Sequence, residues 1–179
     1  MPRAIRAYVH YVDSLNRLVG HFTMYLIFVM LGILFWSAIS KQLSIPSIWT
    51  LEMAQFTMVA YYMLAGGYSM QLNAHVRMDL LYSRWSETTR AKVDSFTDLL
   101  LIFYLFMLLY GAISSTHYAL KYGERSYSAW APYMAPIKII MIIGIVLMIM
   151  QAVAVFFKDV ARARGIQLGR ADAELEDMT

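Results

Sequence analysis

The sequence predicts an all-α integral membrane protein with four transmembrane helices, interfacial amphipathic helices and both termini in the cytoplasm. Three observations predict this. Four apolar stretches, at 18–40, 53–72, 99–120 and 139–157, contain no Asp, Glu, Lys or Arg, and each is near the ~20 residues that a helix needs to cross ~30 Å of hydrocarbon. Hydrophobic residues are 60% of the 179 and charged ones only 15%, against roughly 25% charged in a soluble domain; the mean hydropathy is +0.52. The basic residues are also one-sided. Arg3, Arg6, Arg17, Arg77, Arg84, Arg90, Lys92, Lys158, Arg162, Arg164 and Arg170 fall on the side of the termini, and only Lys41, Lys121, Arg125 and Lys138 on the other. Because Lys and Arg are retained in short cytoplasmic loops, the richer side is expected inside.

Each element follows in chain order. Ile5, Val9, Val12, Leu15 and Val19 recur at helical spacing with Arg3, Arg6, Asp13 and Arg17 between them. That pattern suits an interfacial helix over 3–17. The first span follows at 18–40, begins too late and runs too long for a removable signal peptide, and lacks an Ala-x-Ala exit. A short outer connection holding Pro46 leads to the second span at 53–72. Its cytoplasmic sequel carries a second amphipathic stripe, Met78, Leu81, Tyr82 and Trp85, before Ser86, a candidate N-cap for a helix starting at Glu87 and crossing at 95–120. The outer connection 121–135 and a last span at 136–157 complete one membrane domain over 1–164, and 165–179 reads as a solvated acidic tail. Trp36, Trp49, Trp85 and Trp130 lie at or beyond the ends of the apolar stretches, as depth markers at headgroup level.

Several functions are excluded or weakened by what the chain lacks. Without cysteine there are no disulfides, thiolate metal sites or cysteine nucleophiles. No nucleophile and base form a recognisable constellation, so no enzyme is expected. The basic pI near 9.1 matches membrane orientation and contact with anionic lipids, with no patch interleaved with stacking aromatics for nucleic acid. No acidic or basic side chain stands mid-span and every proline lies outside the span centres, whereas midplane transport sites use broken helices and intramembrane charge. Four intact helices read as a scaffold. Gly66 and Gly67, and Gly111 with Ser115, are small residues of the kind that lets membrane helices approach closely.

Local candidates remain. Glu52, beside Trp49, reads as a hydrated carboxylate favoured by a helix N-terminus, or as a partner contact. His75, Arg77 and Asp79 fall where headgroups begin and suit either mutual hydrogen bonding or subunit docking. Tyr127 and Trp130 are candidates for touching a partner on the outer side, with interfacial anchoring as the alternative. His21 and His75, both near the cytoplasmic ends, also permit a different class of function, a haem-binding membrane anchor of a respiratory enzyme.

The entry Trp49-Thr50-Leu51-Glu52, followed one helix later by His75-Val76-Arg77-Met78-Asp79-Leu80-Leu81, resembles the DctQ-type small membrane subunit of tripartite ATP-independent periplasmic (TRAP) transporters. Ser126-Tyr127-Ser128-Ala129-Trp130-Ala131-Pro132, then Pro136-Ile137-Lys138, Gly144 and Gln151, is similar to the last loop and helix of that family, so the resemblance covers all four spans. It implies a non-catalytic small permease subunit of a bacterial inner membrane, needing no cofactor. Its partners would be a large DctM-type membrane subunit and a periplasmic solute-binding protein, and the complex would import an organic acid or similar small solute on a sodium gradient. Ile139-Ile140-Met141 stands where many relatives have Pro-x-Gly, which leaves the subgroup and the solute open.

Overall fold

A computed structural model describes residues 3–45, 47–72 and 87–163. His75, Arg77, Asp79, the stripe from Met78 to Trp85, the Ser86 cap and the acidic tail lie outside the described residues. Four helices carry the fold: α1 (Arg3–Gln42), α2 (Thr50–Gln71), α3 (Glu87–Tyr122) and α4 (Ala135–Ala163). Three of them, over Ile5–Gln42, Phe96–Tyr122 and Ala135–Ala161, are long and apolar enough to cross a membrane. The shorter α2 holds 22 residues, about 33 Å at 1.5 Å per residue, and buries Thr50, Glu52, Ala54, Ala60, Gly67 and Met70.

One expectation changes at the first element. No break separates an interfacial helix at 3–17 from a span at 18: α1 is a single helix of 40 residues, about 60 Å long. The reason lies in its partner. Val9 and Val12 are fully buried against Ala154, with Ile5, Tyr8, Met150 and Phe157 around them. The apolar stripe is therefore covered by α4, and a continuous helix keeps it in register with that neighbour.

The helices pack in the order α1, α2, α4, α3, and α1 also meets α4. A second cluster, Met70, Leu105, Ile145, Ile149 and Ala152, joins α3 and the end of α2 to α4. Along α4 the buried residues Gly144, Leu147, Gln151, Ala154, Lys158 and Ala161 recur at alternating steps of three and four, the seam of left-handed helix packing. The start of α1, the end of α2 and the end of α4 consequently share one end of the bundle. The α1–α2 and α3–α4 connections share the other.

Both connections at that second end are tightly built. After α1, Ser44 takes a left-handed backbone (φ 53) and Ile45 N–H returns to Ser40 C=O at 2.9 Å. Ser40 and Ser47 hydroxyls meet at 2.8 Å, and Thr50 Oγ1 donates to Ser37 Oγ at 3.2 Å, so the first turn of α2 is tied to the last turns of α1. Gly123 (φ +61) ends α3, and Glu124 N–H bonds Ala119 C=O at 3.1 Å, the six-residue ring of a glycine-terminated helix. An antiparallel bridge between Arg125 and Tyr133 then closes the loop, and Glu124 pairs with Lys138 of α4.

Candidate functional site

Glycines decide how closely the helices approach. A Cβ at Gly144 of α4 would stand 2.7 Å from the Met63 carbonyl oxygen, so backbone lies against backbone there. A Cβ at Gly67 would collide with Asn16 Oδ1, and one at Gly20 with the Tyr68 ring. At Gly66 the neighbour is the Met148 thioether, 2.7 Å away, a flexible side chain that can shift. Gly111 differs, because nothing lies within 4 Å of its added Cβ and Ser115 beside it is exposed. Only that face of α3 is open, since Ala112 beside it packs on the cluster of α4 and Lys138 Nζ reaches the Ser115 carbonyl at 3.5 Å.

Beside the Gly67 crossing, a polar chain joins α1 to α4. Asn16 Nδ2 donates to Gln151 Oε1 at 2.8 Å, Gln151 Nε2 to Asp13 Oδ1 at 3.0 Å, and Lys158 Nζ to Asp13 Oδ2 at 2.8 Å. Asn16 and Gln151 are fully buried, and the Asp13 and Lys158 side chains are 15% and 9% exposed. Tyr8 adds a hydroxyl donated to Met150 C=O at 3.2 Å. Asp13, which falls in sequence among the charges between apolar positions, is thus turned inward. The spacing Val9, Val12, Asp13, Asn16 and Gly20 puts all five on one helix face, and that shared face, with Gln151 inside an apolar stretch, was the signal for the network.

At the opposite end, beneath the two tied connections, the face between α1, α2 and α4 is apolar and open. Glu52 in the first turn of α2 is only 8% exposed, and its Oε2 has no hydrogen-bond partner among the described residues. It is not the hydrated carboxylate that its place at a helix start suggested. Trp49 directly precedes α2 and supplies no side-chain cap; its ring is exposed. Tyr127 is fully exposed at the tip of the α3–α4 loop, and Trp130, as exposed as Trp49, also lines a groove of the bundle. Behind Trp130 lies a cavity of about 440 Å³ whose floor is α2 (Phe56, Ala60), whose walls are α1 (Val29) and α4 (Ile140), and whose mouth is formed by Trp130 and Tyr133.

The expectation of a facing histidine pair finds no support. His21 is exposed, gives its Nδ1 to Arg17 C=O at 2.7 Å within its own helix and packs on Tyr68. His10 and His117 are exposed as well. Among the described residues no cluster of three or more metal-ligating side chains occurs.

The outward surfaces are strongly apolar. Phe22, Phe28 and Phe35 on α1, and Phe96, Phe103 and Phe106 on α3, are all more than half exposed, a distribution that only a lipid or protein environment can cover. No curated protein and no solved structure matches the chain. Residues 30–162 match the model of the family described as Tripartite ATP-independent periplasmic transporters, DctQ component. With well over half its length matched and long apolar helices to place it in a bilayer, the chain is a multi-pass membrane protein that belongs to the DctQ component family of TRAP transporters.

Proposed function

We propose that this chain is a non-catalytic scaffold, the small permease subunit of a sodium-driven, binding-protein-dependent secondary transporter that imports an organic acid or a similar small solute. The observation that carries the reading is the clasped bundle. Its buried polar groups at the termini-bearing end, Asn16, Gln151, Asp13 and Lys158, bond to one another, and glycine crossings bring the backbones together. Such bonds across helices serve rigidity, and Asn16 Oδ1, which has no hydrogen-bond partner among the described residues, is pressed against Gly67 where not even a Cβ fits, so it is not left open to a solute.

In this reading α2 is the fourth span and both termini are cytoplasmic in a bacterial inner membrane. The large DctM-type subunit carries the solute and the ions, and the small subunit enlarges the stationary footprint in the lipid against which a mobile portion works. Glu52 and Trp49 sit where a neighbouring subunit can complete them: a buried carboxylate with one oxygen unpaired is costly until a donor reaches it. Tyr127, exposed at the loop tip, is offered to a periplasmic solute-binding protein. His75, Arg77 and Asp79 are assigned to docking at the cytoplasmic rim on the strength of the motif alone.

Affinity purification of the full chain from native membranes tests the assignment. Co-recovery of a large multi-span subunit is expected, and recovery of a flavin or iron–sulfur subunit in its place would overturn it. Topology has its own test. A phosphatase that works only in the periplasm should be inactive when fused at Thr179 or after Trp85, and activity at either position would reverse the orientation.

A further inference from the structure

The cavity at the open end is unlike a gap left by loose packing. Its Phe56, Ala60, Val29 and Ile140 surfaces are contributed by three different helices. Its volume of about 440 Å³ falls in the ~300–1,000 Å³ range of small-molecule sites lined by hydrophobic and aromatic groups with a few polar ones. At hydrocarbon depth such a groove does not stay empty, because its lining would forfeit dispersion contacts on one side, and water finds no hydrogen-bond partners on an apolar wall.

The mouth supplies chemistry of another kind. Tyr133 lines the groove, and Arg125 lies over its ring, 4.1 Å from the centroid, while donating from Nη2 to its hydroxyl. Arg125 is exposed and has no carboxylate partner among the described residues, because its neighbour Glu124 is taken by Lys138. Trp130, on the same rim, is a ring type that is stable at headgroup level. A guanidinium held in place by an aromatic ring, above an apolar groove, matches a molecule with a phosphate at one end and an aliphatic chain at the other.

We propose that this groove binds one phospholipid, with an acyl chain between α1, α2 and α4 and its phosphate on Arg125 beside the Tyr133 hydroxyl. The lipid completes the surface where α1 and α4 part. The site acts as a structural lipid site and requires neither the large subunit nor transport, so its fate is separable from that of the scaffold reading.

The test uses the full chain, purified in mild detergent, exposed to palmitoyl-oleoyl phosphatidylglycerol and weighed by native mass spectrometry. One retained lipid is expected. Arg125→Gln, which removes a charge-assisted contact, and Val29→Trp, which fills the groove from an exposed wall position, should each lower retention about tenfold. Lys121→Gln, whose amine lies over Tyr122 away from the groove, should leave it unchanged, and circular dichroism should show equal helicity for all three variants. The matched diacylglycerol, lacking phosphate, should be retained no better than by Arg125→Gln. Equal retention of both lipids, or full retention by either groove variant, would overturn the site. A photoreactive phenylalanine analogue at position 29 in native membranes should capture a phospholipid; capture of a protein segment there would also overturn it.

Discussion

The two ends of this bundle solve the same problem in opposite ways. At the end that carries the termini, α1 meets α4 directly, and the contact is a polar chain from Asn16 through Gln151 to Asp13 and Lys158, bordered by Val9, Val12 and Ala154. At the other end the same two helices part over α2 and leave an apolar groove, closed above by Trp130 and Tyr133. The difference teaches where each surface finds its complement. Polar groups bonded across α1 and α4 hold the first end together, although Asn16 Oδ1 and Gln71 Oε1 there have no partner among the described residues, whereas the groove and the exposed Tyr127 at the second end look outward.

The sharpest way to break this comparison is to unpair the clasp. Lys158→Met leaves Asp13 buried without its cation and should cost about 3–5 kcal/mol of the unfolding free energy in detergent. The double variant Asp13→Leu with Lys158→Met should recover nearly all of it, because removing both charges leaves nothing uncompensated. A double variant as unstable as the single one would mean that the ion pair is not what holds this end.

Backbone contact ranks next. Gly144→Ala drives a methyl into the Met63 carbonyl, which cannot swing aside, and should destabilise by about 1–3 kcal/mol on thermal unfolding. Gly66→Ala meets only the mobile Met148 thioether and should cost less. Equal losses would show that the rigidity of the facing group does not set the cost, and a gain at both would show that the higher helix propensity of Ala outweighs close approach. At the open end the sign reverses: Glu52→Gln removes a buried charge and should stabilise the isolated chain by on the order of 1 kcal/mol, while lowering recovery of the large subunit. The smallest effect belongs to Gly111→Ala, which faces open space inside α3 and should stabilise the isolated chain by about 0.5–1 kcal/mol through helix propensity alone.

Much of the architecture was legible because the bilayer imposes long apolar runs. The helix starting at Glu87 and the last helix at 135–163, expected from 136, follow from apolar length and the breaks around it. What the pattern could not separate was burial against lipid from burial against protein, since both call for the same side chains. Hence the stripe from Ile5 to Val19 reads in sequence as the apolar face of an interfacial helix, and only the neighbours show that its Val9 and Val12 face α4. Hence too Asp13 falls in sequence among the charges between apolar positions, and Lys158, 145 positions later, turns it inward. Gly66, Gly67 and Gly111 look alike in sequence; only the neighbours distinguish them, with Met148 and Asn16 against the first two and nothing against the third. Glu52 shows the same limit: its place at a helix start says nothing of what covers it, and it is buried.

The central claim is that this chain braces a transporter and moves nothing itself. Reconstitution into liposomes under an inward sodium gradient tests it directly, with labelled solute followed for the chain alone, for its large subunit with the binding protein, and for all three together. The scaffold account predicts no uptake by the chain alone, weak uptake by its partners without it, and full uptake only by the three-part system. Uptake by the chain unaided, or full-rate uptake in its absence, would contradict it.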